Sequence, residues 1–271
     1  MLEAGEIGAS PHISFAHSGK KNTFSFPSFD SEIKKDDVVV EVGPGFGGLT
    51  LALAEKVKKV MAFEIEKKLM PYWDEQLQKY KNIEIIWGNV LKQDINLQKY
   101  KVVANLPYQI TSNVIRKFLE VENKPELMVL MVQKEVAERI CAKAGDMSLL
   151  SVSVQYYAEP EIVSLVPRSY FWPMPAVNSA IIKIRPLQRS PTLGKNIKPD
   201  KASEEFFKIV KAGFANRRKM LLKNLESVVG KQNKAKLKTV FHELGIIEKI
   251  RAQELSVEQW QGLTRQIESM R

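Results

Sequence analysis

The sequence predicts an α/β protein, with a parallel sheet covered by helices on both faces, followed by a smaller all-α domain. Short β-branched runs alternate with segments of helical spacing as far as residue 187, and only helical patterns follow. Between the two parts, residues 188–199 hold two prolines, a glycine and several polar side chains, which is typical of a linker. We therefore predict one domain over residues 1–187 and a second over residues 188–271.

Each element of the front domain is predicted from its own pattern. Apolar runs predict five parallel strands at residues 38–42, 60–63, 83–87, 101–104 and 127–132, and two closing strands at 161–163 and 179–184. Helical spacing covers 48–58, 66–79, 111–119 and a segment that ends at 140. In the second domain, apolar helix faces lie at 206–214, 220–225 and 237–244. Ligands of such sheets bind beyond the carboxyl ends of the strands.

Composition excludes several classes of protein. With 44% hydrophobic and 27% charged residues, the 271-residue chain is typical of a soluble globular protein. No apolar run approaches the ~20 residues of a membrane span, and the first thirty residues lack the apolar core of a signal peptide. The single cysteine, Cys141, and three histidines argue against disulfides and against a bound metal. We expect a cytoplasmic protein with no membrane partner.

The positive charge is concentrated in the rear of the chain. Residues 189–271 hold 18 basic and 9 acidic side chains, whereas residues 1–188 hold 23 and 22. Such asymmetry favours a polyanionic partner for the second domain, nucleic acid above all, although a lysine-rich solvated helix surface would give the same count.

A glycine-rich run follows the first predicted strand. It reads Glu41-Val-Gly43-Pro-Gly45-Phe-Gly47-Gly48, which contains the spacing G-x-G-x-x-G, and Glu64 ends the second strand 21 residues after Gly43. Glycines allow a close approach of the backbone to a ligand, and an acid at the second position binds ribose hydroxyls. A nicotinamide cofactor and S-adenosylmethionine both fit, as does a plain strand–helix turn. Glu41 favours S-adenosylmethionine, because a carboxylate suits its ammonium group and opposes a pyrophosphate.

A second motif, Asn105-Leu106-Pro107-Tyr108, follows the fourth predicted strand, at the edge where a ligand is expected. The Asn105 side chain and the carbonyls of Leu106 and Pro107 could accept from the exocyclic amine of a base, while Tyr108 stacks on its ring. A simple Asn-x-Pro turn with a buried tyrosine is the alternative.

Two further segments have side chains suited to nucleic acid. Phe171-Trp172-Pro173-Met174-Pro175 places aromatic rings in a proline-stiffened loop, either as a stacking surface or as packing beneath the sheet. Phe214-Ala-Asn-Arg217-Arg218-Lys219, predicted at the start of a helix, either binds phosphates or forms a solvated helix end.

Taken together, these motifs resemble the ribosomal RNA adenine N6,N6-dimethyltransferase family of the KsgA type. The likeness covers residues 37–270 and includes an Arg251-Ala252-x-x-Leu255-Ser256 ending. It implies a Rossmann-like class I methyltransferase sheet and a basic helical RNA-binding domain. The related 23S rRNA adenine methylases share the front half, but the long basic tail is more similar to the small-subunit enzymes.

The resemblance also implies roles for single residues. Glu41, Gly43 and Gly45 would bind S-adenosylmethionine, together with Glu64 at the ribose and Asn89 at the adenine. Asn105 would lie between that methyl donor and the target. An exposed adenosine would stack between Tyr108 and Phe171, while Asn105 and the Leu106 carbonyl, stiffened by Pro107, accept from N6. Arg217, Arg218 and Lys219 would contact RNA.

The implied partner is small-subunit rRNA within an immature 30S-type subunit, bound by a monomeric enzyme that acts in ribosome biogenesis. Three departures from the family pattern stand out. Residues 20–26 stand where the family has a different N-terminal lid segment, and Asn89 and Asn178 stand where it has aspartates. Because a neutral amide replaces a charged acceptor, Asn89 predicts weaker binding of S-adenosylmethionine. A catalytically weak rRNA-binding assembly factor on the same scaffold is therefore the alternative function, and an NAD-dependent oxidoreductase is a more distant one.

Overall fold

The computed structural model describes residues 32–187 and 201–270, and within them seven strands form one sheet. The predicted linker at 188–199 and the segment 20–26 lie outside the described residues. The strands are β1 (Val38–Val42), β2 (Lys59–Glu64), β3 (Ile83–Trp87), β4 (Lys101–Asn105), β5 (Leu127–Gln133), β6 (Ala158–Val166) and β7 (Ser179–Pro186). Their order across the sheet is β3-β2-β1-β4-β5-β7-β6.

β1 to β5 pair in parallel, and β7 pairs antiparallel with β5. The central strands carry continuous apolar runs, such as the six buried residues that begin β5, because helices cover both faces of a parallel sheet. The predicted α/β class is confirmed. The sheet is mixed rather than wholly parallel, because β7 pairs antiparallel with β5.

Nine α-helices lie in the described residues. They are α1 (Gly48–Ala54), α2 (Met70–Lys79), α3 (Thr111–Glu120), α4 (Lys134–Ile140), α5 (Leu149–Gln155), α6 (Lys201–Phe214), α7 (Leu221–Val229), α8 (Lys234–Glu243) and α9 (Val257–Ser269). α1 is shorter than predicted, because β2 already begins at Lys59. A 3₁₀ turn, Lys67–Leu69, forms the start of the second predicted helix.

The helix α5 was not predicted from the sequence. Its start is fixed by a reciprocal cap: the Ser148 N–H donates to Ser151 Oγ over 2.6 Å, and the Ser151 N–H donates to Ser148 Oγ over 3.2 Å. Two orphan donors of the first turn are satisfied in this way, so the segment is helical in spite of its β-branched residues.

The chain divides into two compact units, and the division differs from the predicted boundary. Among the described residues, one unit holds 32–137 and 161–186, and the other holds 138–160, 187 and 201–270. Residues 138–160 join the helical unit because their aromatic side chains pack there. The Tyr156 ring stacks on Phe206 with centroids 4.1 Å apart, and Tyr157 packs against Phe207.

At the amino edge of the sheet, two clusters of charged side chains are paired. Lys101 Nζ, at the start of β4, lies 2.6 Å from Asp37 Oδ2 and donates to the Glu32 carbonyl over 2.6 Å. The Glu32 carboxylate accepts two bonds from the Arg185 guanidinium and one from Lys183. Hydrogen bonding to Arg185 lowers the pKa of Glu32 to about 2, against the opposing effect of burial.

Candidate active site at the carboxyl edge of the sheet

The glycine run turns the chain from β1 into α1. Gly43, Gly45 and Gly47 all have positive φ, at 72°, 55° and 79°, a region that side chains other than glycine rarely adopt. The carbonyl of Gly45 accepts from Trp73 Nε1 over 3.0 Å. A Cβ on Gly47 would lie 2.9 Å from the Trp73 ring, whereas a Cβ on Gly43 would meet nothing within 4 Å. The Trp73 ring therefore packs against the loop at Gly47, whereas the space beside Gly43 is open.

Glu64, the last residue of β2, closes the loop from the side. Its Oε2 accepts from the Gly45 N–H over 3.0 Å, and its Oε1 accepts from the Glu66 N–H over 2.7 Å. Each carboxylate oxygen has a second lone-pair direction for a ligand hydroxyl. Glu64 therefore holds the loop in shape and keeps acceptor capacity.

Among the described residues, Glu41 and Thr50 at this edge each have a buried side-chain oxygen without a hydrogen-bond partner. Glu41 lies on β1, it is buried, and its Oε2 has no hydrogen-bond partner among the described residues. Burial raises the pKa of Glu41 to about 8; the nearby Glu64 carboxylate adds to the rise and the Thr50 hydroxyl opposes it. A buried carboxyl group with one oxygen left without a partner would be stabilised by a cation, which fits the ammonium group of S-adenosylmethionine.

Asn89 follows β3 and caps the short 3₁₀ turn Val90–Lys92. Its Oδ1 accepts from the Leu91 N–H over 2.9 Å. The cap occupies the oxygen predicted to accept from a cofactor adenine, and the other end of the amide is the Nδ2 donor. An aspartate would cap with one oxygen and offer the second.

The Asn105–Tyr108 motif ends β4, the strand that pairs with β1 beside the glycine run. Leu106 is buried, and its N–H donates to the Met131 carbonyl over 3.2 Å. Tyr108 is half-buried, with its hydroxyl 3.2 Å from Ser179 Oγ at the start of β7. Asn105 and Tyr108 are therefore brought to the same edge as Glu41 and Glu64.

The Pro107 carbonyl, one of the two predicted backbone acceptors, already accepts hydrogen bonds within the chain. It accepts from the Ile110 N–H over 3.1 Å and from Thr111 Oγ1 over 3.2 Å. These bonds start α3, because the first turn of a helix has few internal partners. Among the carbonyls of the motif, that of Leu106 remains as the proposed acceptor site.

Phe171 is more enclosed than a free stacking surface would be. It is 5% exposed and belongs to the same buried cluster as Met131 and Ile181, whereas Trp172 beside it is 73% exposed. The packing alternative therefore describes most of the Phe171 ring. Its proposed contact with a base is limited to the small part of its surface that remains accessible.

Two exposed apolar side chains at this edge were missed in the sequence. Ile65 directly follows Glu64 and is 66% exposed, and Phe46 lies exposed in the glycine run. An apolar residue placed directly after the acid of the second strand is a signal that could have found Ile65. Both side chains offer apolar surface to a ligand held between Glu64 and the loop.

The basic run lies in the second unit and has a different local structure from the one predicted. α6 ends at Phe214, residues 215–219 form turns, and α7 begins only at Leu221. Asn224 Nδ2 holds this turn by donating to the carbonyls of Gly213 and Asn216. Arg217, Arg218 and Lys219 are all exposed on it. A turn, rather than a helix start, presents the three cations.

Neither a metal cluster nor a membrane helix is found in residues 32–187 and 201–270. No group of three His, Cys, Asp or Glu side chains there could hold a metal ion. No helix in those ranges is long and apolar enough to cross a membrane.

Comparison with known proteins identifies the fold and the family. A family model described as ribosomal RNA adenine dimethylase matches residues 29–268. The chain belongs to the ribosomal RNA adenine dimethylase family. The resemblance inferred from the motifs is therefore confirmed.

Relatives of this dimethylase carry a consistent name. A protein of Dehalococcoides mccartyi, strain 195, named ribosomal RNA small subunit methyltransferase A, is 43% identical over 238 residues, covering 86% of this chain and 79% of its own. A protein of the same name from Geobacillus kaustophilus is 38% identical over 247 residues, covering 86% and 82%.

Solved structures of related enzymes share the dimethylase fold. A dimethyladenosine transferase from Plasmodium falciparum superposes with a TM-score of 0.75 at 27% identity, covering 89% of this chain and 94% of that one. The 23S rRNA methyltransferase ErmE gives 0.70 at 26%, covering 90% and 98%. The predicted class I methyltransferase sheet is confirmed by this likeness.

Proposed function

We propose that this protein transfers methyl groups from S-adenosylmethionine to N6 of adenosines in small-subunit (16S-type) rRNA, giving N6,N6-dimethyladenosine. One observation carries the proposal. The buried carboxyl of Glu41 on β1 has one oxygen without a partner, and the Asn105–Tyr108 motif lies at the end of the neighbouring strand β4, so the proposed donor and acceptor groups would lie at the same edge. The curated relatives named for the small subunit favour that rRNA over the 23S alternative.

The donor side is formed by the glycine run and the two acids. S-adenosylmethionine, when bound, supplies an electrophilic methyl group. Glu41 would pair with the ammonium group, Gly43 and Gly45 would allow close approach of the backbone, and Glu64 would accept from the ribose. Asn89 would lie at the adenine with its Nδ2 donor rather than a carboxylate.

The acceptor side positions the target nitrogen. Asn105 and the Leu106 carbonyl would accept the two N6 hydrogens, which directs the nitrogen lone pair at the methyl carbon, while Tyr108 stacks on the ring. The N–C bond forms as the C–S bond breaks, and the N6 proton leaves to solvent. Catalysis is then a matter of orientation and of electrostatics, with no strong base required.

RNA binding would use the basic turn of the second unit. Arg217, Arg218 and Lys219 are exposed cations whose phosphate contacts would be independent of sequence and weakened by salt. On this proposal the protein acts as a monomer on immature 30S-type subunits in the cytoplasm.

The test is methyl transfer from labelled S-adenosylmethionine to undermodified small ribosomal subunits. The wild type should form N6,N6-dimethyladenosine, and an Asn105→Ala/Tyr108→Ala double variant should lose at least about a hundredfold in rate. Lys81→Ala replaces an exposed lysine just before β3, at the opposite edge of the sheet from Asn105, and is the control that should retain full activity.

Salt-sensitive binding to subunits without any transfer would overturn the proposal in favour of the assembly-factor alternative. Preferred transfer to 23S rRNA in direct competition would overturn the choice of substrate.

A further inference from the structure

We infer that Tyr170, Trp172 and Met174 form a stacking surface for an unpaired nucleotide that flanks the target adenosine. We name these three residues the loop platform. The inference rests on the proposed function and extends it from the target base to its neighbour in the same RNA strand.

The loop platform is unusual in its exposure. Trp172 is 73% exposed, Tyr170 59% and Met174 56%, while Phe171 between them is buried. The other three tryptophans of the chain differ, since Trp73 and Trp260 are fully buried and Trp87 is half-buried. Large apolar side chains exposed at three positions within five residues are a feature that a binding surface explains.

Hydrogen bonds and packing hold the loop in a defined shape. The Arg168 N–H donates to Asn178 Oδ1 over 3.0 Å, and Arg168 Nη1 donates to the Ala176 carbonyl over 3.3 Å. The Asn178 carbonyl accepts from the Lys134 N–H over 3.0 Å, and Phe171 packs into the core. The exposed rings are therefore carried on a loop whose two ends are tied together, which lowers the entropy lost on binding.

The loop platform emerges beside the proposed target pocket. The loop leads into β7, whose first residue, Ser179, lies 3.2 Å from the Tyr108 hydroxyl. β7 runs antiparallel to β5, with Ser179 opposite Gln133 at the carboxyl end of that strand. A strand of RNA with one base at Tyr108 would continue across this part of the edge.

Chemistry favours a nucleobase as the occupant. Residues 167–178 contain one cation, Arg168, and no acidic side chain, so a phosphate backbone meets no repulsion from this segment. Exposed aromatic rings near a cation are usual contacts of single-stranded RNA, because every base has a stacking face.

The experiment compares Trp172→Ala, Trp172→Leu and Trp172→Phe in the full-length protein. Transfer to undermodified subunits and to protein-free 16S rRNA should show KM raised about tenfold in the Ala and Leu variants, with kcat and the Kd of S-adenosylmethionine unchanged. Phe should restore KM, since it keeps a stacking face. Leu165→Ala removes another exposed apolar side chain, on β6, and is the control that should leave KM unchanged.

A second measurement does not depend on turnover. Titration with a ten-nucleotide oligoadenylate should quench tryptophan fluorescence in the wild type and not in Trp172→Phe. If the wild type binds and quenches but transfers no methyl group, the proposed function fails while the loop platform stands.

Three results would overturn the inference. One is an unchanged KM in both Ala and Leu variants, and another is restoration by Leu as well as by Phe, which would indicate simple apolar packing. The third is a raised KM on whole subunits but not on protein-free rRNA, because the occupant would then be a ribosomal protein.

Discussion

The two edges of the sheet use charge in opposite ways. At the amino edge, Lys101 is buried against Asp37, and Glu32 is bonded to Lys183 and Arg185. At the carboxyl edge, the buried Glu41 has an oxygen without a partner, and Ile65 is exposed. Removing one partner of a buried ion pair strongly destabilises a fold, whereas a buried carboxyl group without a full set of partners lowers stability until a ligand arrives. The contrast indicates which edge serves stability and which serves binding.

The largest effect is expected at the amino edge. Lys101→Met leaves the buried Asp37 carboxylate without its cation and should lower the free energy of unfolding by about 3–5 kcal/mol, measured by urea titration. The Kd of S-adenosylmethionine should not change under folded conditions.

Lys59→Met is the matched control for this substitution. Lys59 pairs with Glu84 at the start of β2, but both side chains are nearly half exposed, so the loss should be below about 1 kcal/mol. Equal losses in the two variants would show that burial does not distinguish the pairs.

Glu41→Gln should show how far the buried carboxyl group of Glu41 lowers the free energy of unfolding. Between pH 4.5 and pH 8 the unfolded chain ionises Glu41 while the folded chain keeps it protonated, so the wild type loses stability as pH rises. Relative to the wild type, the variant should therefore gain about 3 kcal/mol between pH 5 and pH 7.5. Urea unfolding of the wild type and the variant at each pH measures this difference in stability. The exposed Glu55→Gln is the control, and its difference from the wild type should not vary with pH. A difference that does not vary with pH would contradict the assignment.

The glycine run allows a finer comparison within the carboxyl edge. Gly47→Ala places a methyl group against Trp73 at a positive φ and should cost about 2–3 kcal/mol of stability. The methyl group of Gly43→Ala would meet no atom within 4 Å, so the free energy of unfolding should fall by about 1 kcal/mol. The free energy of S-adenosylmethionine binding should weaken by at least about 1 kcal/mol, because the backbone there is proposed to approach the ligand closely. Thermal unfolding measures the stability that each variant loses, and calorimetric titration measures the loss of S-adenosylmethionine affinity. The two measurements together distinguish a glycine that shapes the loop from one that contacts the ligand.

The smallest effect concerns Asn89. Asn89→Asp keeps the cap on Leu91 and adds a charged acceptor, so S-adenosylmethionine should bind tighter by about 1–2 kcal/mol. Asn178→Asp is the control, because Asn178 bonds within its own loop to the Arg168 N–H. If calorimetry finds the Kd of S-adenosylmethionine unchanged in both variants, Asn89 does not contact the adenine.

The sequence was most informative where one physical cause dominates. Continuous apolar runs predict buried parallel strands, and a glycine spacing predicts a loop that needs positive φ, so the sheet and its binding edge were foreseeable. The helix α5 was not, because its alternating apolar and small residues match a strand, and its serine cap and its aromatic packing in the second unit decide otherwise.

Side-chain direction was the other limit. Phe171 and Trp172 are adjacent aromatics, and only the packing against Met131 and Ile181 determines which ring is buried. The Pro107 carbonyl likewise faces the first turn of α3, a consequence of where Ile110 and Thr111 lie in space. Sequence spacing alone contains neither fact.

The most direct test of the account is a count of protons released when S-adenosylmethionine binds. Calorimetric titration at pH 6.5, in buffers of different ionisation enthalpy, should show close to one proton released by the wild type, because the arriving ammonium group ionises Glu41. Glu41→Gln should bind more weakly and release none. Equal affinity and equal proton release in the two proteins would contradict the assignment of the carboxyl edge as the methyl-donor site.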